Sequence, residues 1–190
     1  MKKKLAVFAS GNGSNFEAIA KACSQNRINA EVCLCVCDRS GAFVTQRAQN
    51  FNIPIIQLNP KNFNSKAEYE KIILEELKKY EVEFIALAGY MRIIGDVLLN
   101  AYEGKIINIH PSLLPAFPGV DAIGQALKYG VKVFGVTVHY VDSTLDGGKI
   151  ISQAAIPYDG DSRDELETMV HAREHALYVS TLKMICDKSL

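Results

Sequence analysis

Five short apolar runs without a polar face, each followed by a stretch of different character, constrain this chain more than any other feature. They are KLAVFAS from Lys4 to Ser10, AEVCLCVCD from Ala30 to Asp38, IPIIQL from Ile53 to Leu58, EFIALAG from Glu83 to Gly89 and KIINIH from Lys105 to His110. A strand with one wet face alternates polar and apolar residues, whereas a strand covered on both faces is apolar throughout, as in parallel sheets. The intervening stretches carry helical spacing. Phe16, Ile19, Ala20 and Cys23 recur in NFEAIAKACSQN, AFVTQRAQNF makes a second helix, and Ser65 with Glu68 forms a capping box ahead of a helix ending near Tyr80. A short helix falls around Asp96 to Ala101. After His110 the pattern predicts a helix near Asp121 to Tyr129, a long strand from Val133 to Val141, a shorter one from Lys149 to Ile156, and a last helix opening at Ser162 with Glu165 as its box partner. The expected fold is α/β: a single doubly wound, mostly parallel, Rossmann-like sheet with helices on both faces.

The chain has 190 residues, 48% of them hydrophobic and 22% charged, which suits one domain over residues 1–190 with a sizeable core. Twenty-one basic residues cancel twenty-one acidic ones, so no global field recruits nucleic acid or an anionic membrane. No segment approaches transmembrane length, and the apolar run after the N-terminal lysines is too short for a signal peptide. Cys33, Cys35 and Cys37 are spaced by two, which puts all three on one face of a strand. With no matching His or Cys cluster elsewhere they read as reduced core residues, not a metal site, and the compartment as cytoplasmic.

In a doubly wound sheet, ligands sit outside the carboxyl ends of the strands. The residues to inspect are Ser10, Ala88 to Arg92, Asn108 to His110 and Val141 to Asp146. SGNGSN joins the first strand to the first helix. There, glycines let main-chain N–H groups approach a phosphate, and Ser14 and Asn15 add donors. It is not a Walker loop, since no Gly-Lys-Ser/Thr follows, and it has Phe16 where a dinucleotide fingerprint has its third glycine. A phosphomonoester suits it better than a pyrophosphate; a tight strand-to-helix turn with an Asn cap and no ligand is the alternative.

Asn108 and His110 lie two apart on a strand, hence on one face, and Pro111 ends that strand. An amide donor beside an imidazole suits acyl-type transfer: the amide holds an oxyanion and the histidine moves protons. Asp146, in TLDGGK, is the carboxylate that would raise the histidine pKa, with Gly147 and Gly148 letting the chain turn tightly beside it. A hydrogen-bonded structural histidine is the alternative.

SGNGSN, LAGYMRI, NIHPSLLPAFPG, GVTVHYVD and LDGG occur in this order, and together they closely resemble the phosphoribosylglycinamide formyltransferase family over essentially the whole chain. The resemblance implies the formyltransferase fold and transfer of a formyl group from 10-formyltetrahydrofolate, as co-substrate, to the amine of glycinamide ribonucleotide in purine biosynthesis, without a metal. It implies that Gly13, Ser14 and Asn15 hold the phosphate, and that His171, Ala172, Arg173 and Glu174 form the stretch at the glycinamide end. It assigns Met91, Arg92, Ile93 and Ile94, with Asp142, Ser143, Thr144, Leu145 and Asp146, to the pterin. Lys66 matches a position, usually arginine, facing the folate's glutamate tail. Asn108, His110 and Asp146 match the catalytic trio, and Asn108 also borders the folate. A monomer or weak homodimer is expected, with no nucleic-acid or membrane partner.

This chain departs from the family at Asp121, where many members carry histidine, so no substrate role is assigned there. His139 shares a strand face with Thr137 and is balanced between supporting the site and a plain structural role. His175 reads as a solvated or helix-packing residue, and Tyr90 as core or pocket flank. Two related activities compete. A formyltetrahydrofolate hydrolase and a methionyl-tRNA formyltransferase share the NIH site but are longer, with an added N-terminal or C-terminal domain. From another class, a nicotinamide-dinucleotide protein would use the glycine loop and bind ribose with Asp38, leaving NIHPSLLP unexplained.

Overall fold

The computed structural model describes residues 2–187. Its strands are β1 (Lys3–Ala9), β2 (Ala30–Cys37), β3 (Ile55–Gln57), β4 (Phe84–Leu87), β5 (Ile106–His110), β6 (Val133–Tyr140) and β7 (Ile150–Pro157). The helices are α1 (Ser14–Ser24), α2 (Val44–Asn50), α3 (Lys66–Lys79), α4 (Asp96–Ala101), α5 (Ala122–Tyr129) and α6 (Arg163–Asp187). All seven strands form one sheet in the order β3-β2-β1-β4-β5-β6-β7. The first five are parallel, as their unbroken apolar runs demand, and β6 and β7 are antiparallel additions.

The chain winds outward from β1 to β3, then returns to place β4 on the other side of β1. That reversal opens a crevice at the carboxyl ends of β1 and β4. Successive β1 residues feed opposite faces: Leu5, Val7 and Ala9 pack with α1 and α6, while Ala6 and Phe8 pack with α3 and α4. A third apolar cluster joins α5, β6, β7 and the first half of α6 through Ala126, Phe134, Ile156 and Leu166.

Two local expectations are corrected. The three β2 cysteines do not share a face. The β1–β2 register slips between Leu5 and Ala6, so Cys33 has no β1 partner and turns toward the α3 side, while Cys35 and Cys37 face α1. An inserted residue of this kind re-aims a side chain, which spacing by two cannot reveal. All five cysteines are free thiols, and burial pushes Cys23 and Cys35 up to about 12 and Cys33 and Cys186 up to about 11.

The capping boxes close on one arm only. Ser65 Oγ accepts from Glu68 N at 3.1 Å, but Glu68 Oε2 reaches past the cap to Asn64 N at 2.9 Å. At α6, Ser162 Oγ accepts from Glu165 N at 3.3 Å while the Glu165 carboxylate accepts from the Tyr158 hydroxyl.

Candidate active site

The glycine loop leaves β1 at Ser10 and is stitched to the segment after β4. Ser10 N donates to Gly89 O at 3.1 Å, and Ser10 Oγ accepts from Met91 N at 2.8 Å. Gly13 sits at φ 77°, in the left-handed region that glycine enters without penalty, and α1 starts at the next residue. Among the described residues no acceptor meets the N–H groups of Gly11, Asn12, Gly13, Ser14, Asn15 or Phe16. Consecutive free donors at a helix N-terminus form a concave anion site.

The far end of this loop meets α6. Asn15 Nδ2 donates to Glu174 Oε2 at 3.2 Å, and His171 Nδ1 lies 2.9 Å from the same oxygen. Glu174 is 5% exposed, and Asn15 Oδ1 is buried without a protein partner, so an acceptor waits at the seam. Asn15, His171 and Glu174 are thus brought together, whereas Ala172 and Arg173 are exposed on the same helix.

The segment Met91 to Ile94 divides. Met91 and Ile93 are 64% and 65% exposed, a large apolar area for a loop, while Ile94 is buried under α4. Arg92 Nε lies 3.3 Å from Asp38 Oδ2. A cavity of about 600 Å³ adjoins them, lined in part by Phe63, Lys66, Tyr69, Glu70 and Tyr90. Tyr90 is both core and lining: its hydroxyl is 2.8 Å from that of Tyr69 and its ring packs edge-on against Phe8. Glu70 accepts from Gly95 N at 2.6 Å, and burial pushes its carboxyl up.

At the end of β5 the antiparallel register sets Asn108 opposite His139 and His110 opposite Thr137. His110 Nδ1 is 3.5 Å from Asp146 Oδ2, and its Nε2 is 2.9 Å from the Phe117 carbonyl, which can only accept. Asp146, at φ 50°, also accepts from Gly119 N at 2.7 Å. The loop carrying it is tightened by Asp142, whose Oδ1 caps Thr144 N at 2.7 Å, while Ser143, Thr144 and Leu145 are exposed. Thr137 pins the turn after His110. Its Oγ1 donates to Ser112 O at 2.7 Å and accepts from Leu114 N at 3.0 Å.

His139 is a supporting residue of this cluster. Burial pushes it below the usual imidazole range. Its Nδ1 faces the Tyr140 carbonyl at 2.9 Å and so carries the proton, leaving Nε2 to accept from Asn108 Nδ2 at 3.3 Å. The amide of Asn108 is thereby oriented with one N–H committed and one free. Asp146 Oδ1 lies 3.7 Å from the same His139 nitrogen. Sequence reasoning could not choose a role for His139 because the choice depends on the β5–β6 register. It missed the main-chain partners Phe117 and Gly119 altogether, since main-chain groups leave no residue signal.

Asp121 pairs with Arg163 at 2.7 Å, tying the turn before α5 to the start of α6. His175 is half-buried with an unpartnered Nε2, a helix-packing residue. The hydrogen bond to Glu174 pushes His171 up, whereas burial pushes His139 and His175 down. In an NMR titration of the imidazole protons, His171 is therefore expected to titrate at higher pH than His139 and His175. The reverse order would contradict the Glu174 contact and the burial.

No described helix is long and apolar enough to cross a membrane, and the described residues hold no group of three or more metal-ligating side chains. Asp38, the carboxylate that the nicotinamide alternative would offer to a ribose, is 6% exposed, with Oδ2 3.3 Å from Arg92 Nε and Oδ1 buried without a protein partner.

Residues 3–182 match the formyl transferase family. A Bacillus subtilis (strain 168) protein named phosphoribosylglycinamide formyltransferase is 55% identical, covering 96% of this chain and 94% of its own. The Escherichia coli (strain K12) protein of that name is 37% identical over 98% of this chain and 88% of its own. The crystal structure of glycinamide ribonucleotide transformylase 1 from Geobacillus kaustophilus superposes with a TM-score of 0.95 at 53% identity, covering 98% of this chain and all of that one.

Proposed function

The chain belongs to the formyl transferase family, and on that premise we propose that it moves the formyl group of 10-formyltetrahydrofolate to the amine of glycinamide ribonucleotide. The products are formylglycinamide ribonucleotide and tetrahydrofolate, in a step of purine biosynthesis. The observation that carries the reading is where the trio stands. Asn108, His110 and Asp146 meet at the carboxyl end of β5, next in the sheet to β4, whose exposed apolar segment adjoins a cavity, with β1 and its loop of free N–H donors one strand further on; an anionic nucleotide and a flat heterocycle thus have places along the same edge of the sheet.

The free N–H groups of Gly13, Ser14 and Asn15 take the phosphate. Glu174, buried and already accepting from Asn15 and His171, faces the glycinamide end. Met91, Ile93 and the loop Asp142 to Asp146 border the pterin, with Arg92 and Ile94 fixing the segment from below, and Lys66 addresses the glutamate tail from the first turn of α3. Lysine there offers a point charge in place of an arginine fork, which weakens the grip on the tail without touching the chemistry.

The neutral amine of the ribonucleotide attacks the formyl carbon, and the carbonyl electron pair moves onto oxygen. Asn108 meets that oxyanion with the N–H not committed to His139. His110 donates from Nε2 once its contact with the Phe117 carbonyl opens, while Nδ1 stays with Asp146. Collapse re-forms the carbonyl and breaks the bond to the folate nitrogen, which leaves with a proton; the amine loses one. Asp146 and His110 carry that exchange.

Calorimetric titration with glycinamide ribonucleotide tests the nucleotide half of this reading. Saturable single-site binding that inorganic phosphate competes away is expected, with no heat from NAD. Binding of NAD in place of the ribonucleotide would overturn it.

A further inference from the structure

In the glycine loop the carbonyl oxygens of Gly11, Asn12 and Gly13 and the side-chain oxygen of Asn12 are all held by N–H donors. Gly13 O receives Glu17 N at 2.9 Å from within α1, and Gly11 O receives Val44 N at 3.1 Å from the first turn of α2. The two oxygens of Asn12 are both taken by one side chain, Arg47. Its Nε donates to Asn12 O at 2.9 Å, its Nη2 donates to Asn12 Oδ1 at 2.9 Å, and its Nη1 pairs with Glu17. The guanidinium is 4.9 Å from the centre of the Phe43 ring, which covers it from outside. Gly13 seats directly on the same helix: a Cβ there would lie 2.6 Å from Val44 Cβ.

A peptide plane whose carbonyl points to α2 points the N–H that follows it the other way. Fixing Asn12 O therefore fixes the direction of Gly13 N–H at the middle of the donor run. Arginine suits the task because its planar fork fixes two acceptors in one geometry, which a lysine cannot do. Its charge is already matched by Glu17, so it acts on the loop's shape and not as a free cation.

We infer that Arg47 is a positioning residue for the ribonucleotide phosphate: by holding both Asn12 oxygens on the α2 side, it keeps the loop's N–H groups turned toward the bound anion. This rests on the ribonucleotide reading for the identity of the ligand, though not for the shape of the loop.

The test compares wild type, Arg47→Lys, Asn12→Ala and the double variant, using glycinamide ribonucleotide in calorimetry and in steady-state assays. Arg47→Lys is expected to raise both Kd and KM for the ribonucleotide about tenfold, the loss expected from charge-assisted hydrogen bonds. Its kcat and folate KM should stay within about twofold of wild type. Asn12→Ala should act in the same direction, and the double variant should bind little worse than the weaker single one, because both remove the same contact.

An unchanged ribonucleotide affinity in Arg47→Lys would overturn the inference, as would equal rises in both KM values with a fall in kcat, the mark of a merely structural residue. Effects that multiply in the double variant would overturn it too, since Arg47 would then act on the phosphate independently of Asn12. Inorganic phosphate is the probe that separates this from the functional reading. If wild type binds phosphate but not the ribonucleotide, the functional reading fails, and the inference still requires about tenfold weaker phosphate binding in Arg47→Lys.

Discussion

His110→Asn is expected to lower kcat by about a hundred- to ten-thousandfold, the span a positioned proton donor contributes, while ribonucleotide Kd stays within about twofold. Asparagine at this 5% exposed position keeps a polar group toward the Phe117 carbonyl but cannot pass a proton between that side and Asp146. Among the described residues no hydrogen bond links His110 to the glycine loop or to Glu174, so the nucleotide half of the site should be undisturbed. Stopped-flow kinetics with parallel calorimetry would read both quantities. A loss of binding with only a modest fall in kcat would make His110 a structural residue and remove it from the chemistry.

Gly148→Ala should be nearly as damaging by a different route. A Cβ at Gly148 would fall 1.8 Å from the Tyr140 carbonyl oxygen, far inside contact distance and against main chain, which cannot swing aside. That carbonyl is the acceptor that fixes the His139 tautomer, and Tyr140 N is bonded to Lys149 O at 2.9 Å. Accommodating one methyl therefore means displacing the end of β6 or the loop that carries Asp146. The expected cost is about 1–3 kcal/mol of stability, the usual range for overpacking, with at least about a tenfold fall in kcat because a shift near 1 Å at the reacting groups is enough. Denaturant melts and kcat together check it. Wild-type values for both would show that the loop gives way without moving the site.

The parallel part of the sheet was legible because burial on both faces writes itself into composition: past the lysines that open β1 and Glu31 near the start of β2, the strands β1, β2 and β4 are apolar throughout. The juxtaposition of Asn108 and His110 was legible because residues two apart on a strand share a face where no bulge intervenes, and two glycines after Asp146 mark a turn. The rest depended on three-dimensional relations with no local signal. The slip at Leu5/Ala6 that turns Cys33 away from Cys35 arises between two strands. Glu68 and Glu165 sit at the right spacing for capping boxes yet find better partners in Asn64 and Tyr158. His139 could be assigned only once antiparallel pairing set it across from Asn108, and Arg47 only once α2 lay against the glycine loop. The segment Met91 to Ile94 reads as one unit in sequence, but Ile94 is buried in the core and its neighbours are not.

The most direct test mixes the purified protein with 10-formyltetrahydrofolate and glycinamide ribonucleotide, without added metal or nicotinamide, and follows the folate absorbance. Release of tetrahydrofolate that requires the ribonucleotide, with formylglycinamide ribonucleotide as the second product, is the predicted result. Release at the same rate without the ribonucleotide, yielding formate, would contradict it and make the protein a hydrolase.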